Sequence, residues 1–314
     1  MKLNYKSYNI AVVIPYYNAA DHIVNVVGKL PDYISKIYII DDSSVEILPF
    51  NILNKNNKVV FLKNNNNLGV GGAVKKGFLK AIEDNIDFII KVDADDQMDT
   101  NYISELLDGV IDKGFDYVKG NRFRDLKALK KMPFFRKIGN LGLSFFTKVA
   151  TGYWNNFDPT NGFFIIKRER LEQLDFTNLS NRYFFETSLL SELYFTKAKV
   201  LDVNMPAIYG EEQSNMQVWK MPFVFFPKLI KIFFKRIIKT YLLYDFNIGS
   251  VYLIFGAPMF LFGFFYGIFE WYIHTTNGVL APTGTIMIIT LNLILGLQLI
   301  LQAIQYDILR VDKF

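Results

Sequence analysis

The chain has 314 residues, of which 51% are hydrophobic, and it contains 30 Phe, 18 Tyr and no Cys. This composition excludes an ordinary soluble protein, and the absence of Cys fits a reducing compartment. The formal net charge of +5 needs no nucleic-acid partner, because much of the basic excess lies beside apolar C-terminal segments, where anionic lipid is the natural partner.

The N-terminal two-thirds of the chain predicts strands that alternate with helices. Apolar strands are expected at 10–14, 37–40, 59–62 and 88–92, and helices at 21–30 and 73–81. This alternation predicts a parallel sheet with both faces covered. Residues 1–7 are polar and 10–14 is a short strand, so no signal peptide is expected. Polar clusters follow three of the strands, at the sheet edge where such folds bind ligands.

The glycine-rich stretch at 69–77 begins the second predicted helix. It is not a phosphate-binding Walker A loop, because no Gly-Lys-Ser/Thr follows at the required spacing, and it is not a convincing dinucleotide fingerprint. We expect a tight loop and close helix packing near the substrate.

The run Asp93-Ala94-Asp95-Asp96-Gln97 directly follows the strand at 88–92. Two carboxylates one residue apart, where a strand ends in a loop, can share one hard divalent cation. Mg²⁺ or Mn²⁺ would accept these oxygens and keep positions for a diphosphate. The spacing therefore suggests a nucleotide-diphosphate substrate, and a solvated acidic loop is the alternative.

Two uncharged apolar stretches near the C-terminus predict transmembrane helices. Neither 246–269 nor 271–306 contains Asp, Glu, Lys or Arg. Spans are expected at 247–270 and 281–304, joined by a loop at 275–284, because about 20 apolar residues cross a bilayer. A buried helical hairpin of a soluble domain is the alternative, although the stretches are apolar on nearly every face.

Basic residues predict the orientation of these spans. Five Lys and Arg between 228 and 239 precede the first span, Arg310 and Lys313 follow the second, and the loop between them has none. By the positive-inside rule, both termini and the N-terminal region are predicted to be cytoplasmic. The segment 221–245 predicts amphipathic helices in the interface, divided at Pro222 and Pro227, with a packed surface helix as the alternative.

Small and polar residues within the spans indicate close helix–helix contact. Gly263 and Gly267 form a G-x-x-x-G, and Gln298, Gln302 and Gln305 lie on one helical face. The glycines could pair the two spans of one chain or join protomers of a homo-oligomer.

Five short motifs, in their order along the chain, resemble glycosyltransferase family 2 with its GT-A fold. They are Val13-Ile14-Pro15-Tyr16-Tyr17-Asn18, Ile39-Ile40-Asp41-Asp42-Ser43-Ser44, Asn67-Leu68-Gly69, Asp93-Ala94-Asp95-Asp96-Gln97 and Gly120-Asn121-Arg122-Phe123. Later motifs at 133–137 and 158–163 resemble the polyprenyl-phosphate glycosyltransferases, the group that includes dolichol-phosphate mannose synthase, and the pattern at 282–308 resembles its two-span bacterial members.

The resemblance implies an α/β fold and a division of the chain. A Rossmann-like GT-A catalytic domain would occupy 1–220, amphipathic juxtamembrane helices 221–245, two transmembrane helices 246–306, and a cytoplasmic tail 307–314. The protein would lie in the inner (cytoplasmic) membrane.

The resemblance also implies residue roles. Nucleotide-sugar contacts would come from Pro15, Tyr17, Ile39, Asp41 and Ala94. Catalytic contacts would come from Asp93, Asp95, Gln97 and Glu186, with Asp93 and Asp95 holding Mg²⁺ or Mn²⁺. The acceptor phosphate would be bound by Arg122, Arg136 and Asn140, since guanidinium groups can bind phosphate with two parallel hydrogen bonds.

The implied reaction is inverting, metal-dependent transfer of a sugar from a UDP- or GDP-linked donor to polyprenyl (undecaprenyl) phosphate, for envelope glycan modification. A processive polysaccharide synthase is one alternative, but 217–220 is not Gln-x-x-Arg-Trp and two spans form no obvious pore. A non-catalytic scaffold is another. It is favoured only by 209–216, which lacks the Arg and Lys that clamp the diphosphate in relatives.

Overall fold

The computed structural model describes residues 5–122, 134–206 and 221–311. The chain divides into two compact units, Met1–Ile232 and Phe233–Phe314.

The first unit is a sheet with helices packed on it. The strands are β1 Ile10–Tyr16, β2 Lys36–Asp41, β3 Val59–Lys63, β4 Phe88–Lys91, β5 Tyr117–Asn121, β6 Phe164–Lys167 and β7 Val200–Asn204. The helices are α1 Ala20–Gly28, α2 Phe50–Leu53, α3 Val70–Glu83, α4 Ile103–Ile111, α5 Phe134–Thr151, α6 Arg168–Leu171, α7 Phe185–Phe195 and α8 Met221–Ile237, in which the boundary between the units falls.

The sheet is mixed, with strand order β3-β2-β1-β4-β6-β5-β7. β1 to β4 are parallel as predicted, but β6 runs antiparallel to both β4 and β5, and β7 is parallel to β5. The expectation of a purely parallel sheet is therefore corrected. Because β6 alone is reversed among these strands, the carboxyl ends of β1, β4 and β5 share one edge with the start of β6.

The centre of the sheet is formed by continuous apolar strands, which suits burial on both faces. All of β4 is buried, and the core includes Ile10, Val12, Ile39 and Ile90. α3 packs closely on β1, since a Cβ at Gly77 would come within 2.5 Å of Val13 Cγ1. The predicted close helix packing is confirmed.

The helix α8 runs through Pro227 without a break, so the predicted division at this proline is wrong. Phe225 and Leu229, on either side of the proline, are buried, and the Phe225 ring packs edge-on against Phe184 with centroids 5.0 Å apart. This packing stabilises the helix across the hydrogen bond that proline cannot donate. The early part of α8 is thus a helix packed on the first unit. A π-helix, Ile238–Tyr244, follows α8.

The second unit contains two helices, α9 Ile248–Asn277 and α10 Thr283–Val311, that are long and apolar enough to cross a membrane. They begin close to the predicted starts and end about seven residues beyond the predicted ends of 270 and 304, and the turn between them is shorter than expected. α9 is capped at its C-terminal end by Gly278, whose φ of 64° is readily adopted by glycine.

Glycines bring α9 and α10 together. A Cβ at Gly263 would lie 3.0 Å from the Leu293 backbone nitrogen, and one at Gly296 would lie 2.5 Å from the Phe260 nitrogen. Gly267 faces Ile289. The G-x-x-x-G therefore packs the two helices of one chain together. Gln298 and Gln305 are exposed, so the role of the glutamine face in helix contact stays a prediction.

A buried ionic cluster ties the π-helix segment to the end of α10. Asp307 accepts hydrogen bonds from Arg236 Nη1 and the Tyr241 hydroxyl, both at 2.6 Å. Beside it, Arg310 pairs with Asp245 at 2.9 Å. Buried carboxylates persist only when such partners compensate their lost hydration.

Candidate active site

A cavity of about 440 Å³ opens at the carboxyl edge of the sheet. Five residues predicted to contact the donor or the metal line it together: Pro15, Tyr17, Asp93, Ala94 and Asp95. The chain folds this way because β1 ends at Tyr16 and the neighbouring β4 ends at Lys91, so the two loops that follow meet at one edge.

The carboxylates of the acidic run at 93–97 have different surroundings. Asp93 and Asp95 line the cavity, whereas Asp96 has a φ of 58° and pairs with Lys29 at 2.6 Å. The backbone nitrogen of Gln97 donates to Asp95 Oδ1 at 3.1 Å, which tightens the turn. The positive φ at Asp96 lets the chain reverse between Asp95 and Gln97.

Lys91, the last residue of β4, lies behind this loop and is almost fully buried, with a side-chain exposure of 1%. Its ammonium pairs with Asp93 Oδ1 at 2.8 Å and with Glu186 Oε1 at 3.1 Å. Burial by itself would lower the pKa of Lys91, but the two carboxylates outweigh it and raise that pKa above the usual value. Burial raises the pKa of Glu186, which Lys91 opposes.

The carboxylate oxygens of Asp93 and Asp95 in the cavity lining suit a hard divalent cation. Asp93 keeps Oδ2 beyond its bond to Lys91, and Asp95 adds a second carboxylate one residue away. Within 5–122, 134–206 and 221–311 no group of three or more His, Cys, Asp or Glu is arranged to hold a metal. A cation at Asp93 and Asp95 would therefore complete its coordination with substrate oxygens and water, which suits Mg²⁺ or Mn²⁺.

The glycine-rich loop is organised by Asp42 rather than by Asp41. The Asp42 carboxylate accepts hydrogen bonds from Asn64 Nδ2 at 2.7 Å and from the backbone nitrogens of Leu68 and Gly69 at 3.0 and 2.7 Å. Gly69 has a φ of 88°, a conformation that side chains rarely adopt. Asp42, Gly69 and Val70 all line the cavity.

Two predicted donor contacts lie elsewhere. Ile39 is fully buried in the core of the sheet. Asp41 accepts from the Ser44 nitrogen at 2.8 Å and lies 3.7 Å from Lys63 Nζ, which caps the loop after β2. Neither is among the residues that line the cavity. Their roles toward the nucleotide stay predictions.

Arg122 follows β5 at the same edge of the sheet and is held by Asp158. The Arg122 Nε and Nη2 donate to the two oxygens of the completely buried Asp158 carboxylate. Asp158 has a φ of 51°. Its loop is held by Asp202 on β7, which accepts from Asn156 Nδ2 at 2.8 Å and pairs with buried Lys119 at 3.1 Å.

The two other residues predicted to bind the acceptor phosphate lie on one helix. Arg136 and Asn140 lie on α5, and their side chains fall outside the described residues. The segment 209–216, which contains no Lys or Arg, also lies outside them.

Sequence reasoning missed several residues of this edge. Arg182 and Tyr183 line the cavity just before α7, and nothing in their local pattern distinguished them from a surface loop. The position of Lys91 in the sequence did indicate a special role, because a charged residue in a buried apolar strand needs an oppositely charged partner. Asp158 belongs to the motif at 158–163, but the sequence does not indicate that it pairs with Arg122.

The model of the family described as Glycosyl transferase family 2 matches residues 11–175. The chain is 32% identical over 219 residues to the UDP-N-acetylglucosamine–dolichyl-phosphate N-acetylglucosaminyltransferase of Methanococcus voltae, covering 64% of this chain and 86% of that protein. It is 24% identical over 185 residues to the polyprenol monophosphomannose synthase of Mycolicibacterium smegmatis, covering 57% and 69%.

A solved structure of glucosyl-3-phosphoglycerate synthase from Mycobacterium tuberculosis, in complex with Mn²⁺, UDP and glucosyl-3-phosphoglycerate, superposes with a TM-score of 0.53. The match covers 73% of this chain and 81% of that one at 16% identity. At this identity the likeness shows the fold alone, and it confirms the expected GT-A-like fold.

Proposed function

The chain belongs to glycosyl transferase family 2, and we propose that it transfers a sugar from a nucleotide-sugar donor to a polyprenyl phosphate at the membrane. One observation carries the proposal: Pro15, Tyr17, Asp93 and Asp95, which lie at the carboxyl ends of two different strands, line a single cavity. The two apolar C-terminal helices suit an enzyme whose acceptor is a membrane lipid.

The donor is proposed to be UDP-linked, with a GDP-linked sugar as the second candidate. The Methanococcus voltae relative is named for a UDP-linked donor, and the structural neighbour was solved with UDP and Mn²⁺. Among the described residues that line the cavity, Arg182 is the one Lys or Arg, and Asp93 and Asp95 line the same cavity. We assign it to the donor diphosphate, where guanidinium can bind phosphate oxygens with two hydrogen bonds.

The acceptor phosphate is assigned to Arg122, with Arg136 and Asn140 as further candidates. Asp158 holds the Arg122 guanidinium by Nε and Nη2, so its orientation at the sheet edge is set before a ligand arrives. A guanidinium fixed in this way loses little conformational freedom on binding.

The chemistry proposed is a direct displacement with inversion at the anomeric carbon. An oxygen of the lipid phosphate, already anionic near neutral pH, forms the new bond while the nucleoside diphosphate leaves. A strong general base is not required, so Glu186 has no proton to remove. A divalent cation at Asp93 and Asp95 would stabilise charge on the leaving diphosphate. Arg122 and Arg182 position the two phosphate-bearing substrates.

The location proposed is the cytoplasmic membrane, with the catalytic unit on the cytoplasmic side. The basic residues at 228–239 and Arg310 flank the apolar helices, and the turn at 278–282 has no Lys or Arg, which supports this orientation. Undecaprenyl phosphate is the first acceptor to test and dolichyl phosphate the second, and the product would supply a glycan of the cell envelope.

The experiment is transfer of radiolabelled sugar into the organic phase by purified full-length protein, with undecaprenyl or dolichyl phosphate, Mg²⁺ or Mn²⁺, and a panel of UDP- and GDP-sugars. Label in lipid from one donor, lost in Asp95→Asn, supports the proposal. Labelled polymer would favour a processive synthase, and absence of both transfer and UDP binding would favour a scaffold.

A further inference from the structure

Lys91 is an unusual residue for its position. β4 is a central strand, flanked by β1 and β6, and its other residues are Phe88, Ile89 and Ile90. A buried ammonium loses its hydration and would destabilise the fold unless other groups compensate it. An apolar side chain would serve the strand better, so the charge needs a reason beyond the fold.

The surroundings of Lys91 are shaped to receive it. Its two ion-pair partners come from different elements, Asp93 from the loop after β4 and Glu186 from the first turn of α7. A Cβ at Gly162 would lie 2.1 Å from Lys91 Nζ, 3.0 Å from Asp93 Oδ2 and 3.3 Å from Glu186 Oε1. Three separate segments thus leave room for one ammonium between two carboxylates.

Resting on the proposed function, we infer that Lys91 is a positioning residue: by holding Asp93 Oδ1, it fixes the orientation in which Asp93 faces the donor cavity. Glu186 takes part in the same arrangement, because it is the second ion-pair partner of Lys91. It balances the charge of Lys91 and, from a separate element, α7, holds the ammonium by an ion pair at 3.1 Å. Asp93 is therefore a preorganised ligand, because one of its oxygens is held before the metal and diphosphate bind.

A simpler role must be separated from this one. Lys91 could serve only to neutralise the buried Glu186, with Asp93 incidental to it. Asp93 is not incidental in the structure, since its Oδ1 lies 2.8 Å from Lys91 Nζ, within ion-pair range like Glu186 Oε1 at 3.1 Å.

The test uses the double variant Lys91→Met/Glu186→Gln, which removes both buried charges and so avoids leaving one unpaired. If Lys91 positions Asp93, this variant keeps its melting temperature within a few degrees, but kcat falls at least about tenfold and the acceptor KM stays within about twofold. If Lys91 only neutralises Glu186, kcat stays at the wild-type value, which would overturn the inference.

A cycle with Asp93→Asn provides the second readout. Removing Lys91 and Glu186 in the Asp93→Asn background should have no further effect on kcat or on the affinity for UDP with Mn²⁺, measured by calorimetry, because the residue through which Lys91 acts is already changed. Fully additive losses would contradict positioning. The calorimetric cycle can be read even if the wild-type protein transfers no sugar, a result that would reject the proposed function alone.

Gly162→Ala keeps the inference falsifiable if the double variant does not fold. The added methyl group would lie 2.1 Å from Lys91 Nζ and 3.0 Å from Asp93 Oδ2, so it would disturb the ion pair itself, and we expect a comparable loss of kcat with secondary structure retained. Gly28→Ala is the matched control, since a Cβ there meets nothing within 4 Å. Wild-type kcat in Gly162→Ala would refute the inference.

Discussion

Arg122 and Asp158 form a two-pronged ion pair, in which Nε and Nη2 of the arginine donate to the two carboxylate oxygens at 2.7 and 2.9 Å. The carboxylate is completely buried, whereas the arginine side chain is 41% exposed. The pair thus presents a cation at the sheet edge on a rigid, buried support.

Asp158→Asn should therefore weaken acceptor binding without changing donor binding. An amide replaces one carboxylate oxygen with an NH2 donor, so it cannot offer a separate acceptor oxygen to each of Nε and Nη2. The loss of one charge-assisted hydrogen bond predicts an acceptor KM about tenfold higher, with the donor KM within about twofold. Steady-state kinetics with each substrate varied would measure this. Glu172→Gln, at an exposed ion pair with Arg168, is the control and should change neither constant.

Asp95→Asn should lower kcat/KM by about 10²- to 10³-fold, because a metal ligand acts on the charge of the leaving diphosphate. Chelation of divalent metal should abolish wild-type transfer, and Mn²⁺ should restore it. Asp96→Asn is the control within the same loop, since Asp96 pairs with Lys29. Equal losses in the two variants would show that the loop, and not the metal ligand, had been disturbed.

Asp93→Asn should fold normally and still lose activity. The substitution leaves the buried Lys91 paired with Glu186 at 3.1 Å, so no uncompensated charge remains. We expect a melting temperature near that of the wild type and a loss of kcat/KM comparable to that of Asp95→Asn. Thermal unfolding in detergent, measured beside kinetics, would separate the two effects, and a large fall in melting temperature would contradict the expectation.

Arg182→Gln should raise the donor KM about 10- to 100-fold, the range expected for hydrogen bonds to a charged group. The acceptor KM should not change. Lys55→Gln removes the same charge from an exposed position and should leave both constants unchanged. An unaltered donor KM in Arg182→Gln would remove the arginine from the diphosphate site.

Gly296→Ala should destabilise the helical hairpin of the second unit by about 1–3 kcal/mol. The new Cβ would lie 2.5 Å from the Phe260 backbone nitrogen, so the helices must move apart. Gly284→Ala, also on α10, is the control because its Cβ would meet nothing within 4 Å. Unfolding in detergent followed by circular dichroism would compare the two, and equal stability would contradict the close helix approach.

Asp84 should make stability depend on acid pH. Burial by itself would raise its pKa, but hydrogen bonds from Lys36, Tyr38 and Lys80 lower the pKa to about 2. The carboxylate therefore stabilises the fold above its usual pKa of 3.8, and this contribution is lost as the pH falls through about 2. After screening by solvent, Asp84→Asn should cost about 1 kcal/mol at pH 7.

The cost of Asp84→Asn should shrink as the pH is lowered below 4, because the carboxyl becomes protonated in the unfolded chain near its usual pKa of 3.8 and in the folded protein only near 2. Melting temperatures of the two proteins from pH 7 to pH 2.5 would follow it. Glu83→Gln changes the neighbouring exposed partner of Lys80 and should cost little at any pH. A constant difference across the range would reject the role of this charge.

Much of the fold could be predicted because its signals are local. The continuous apolar strands and the uncharged C-terminal stretches determine which segments are buried or lipid-compatible, whatever they later contact. The antiparallel β6 was not predicted, because the sequence of a short apolar strand indicates neither its direction in the sheet nor its neighbouring strands. The continuity of α8 through Pro227 was not predicted either, because the stabilising contact, Phe225 on Phe184, joins distant parts of the chain.

The sequence by itself determined the family and pointed to Pro15, Tyr17 and Ala94 beside Asp93 and Asp95, since motif order and strand-end chemistry are properties of the linear chain. Only the tertiary structure decided that Lys91 pairs with Glu186 and that Asp158 holds Arg122, across 95 and 36 residues. The reason is physical: an ion pair depends on which side chains the sheet order brings within a few ångströms, and sequence separation does not specify that distance.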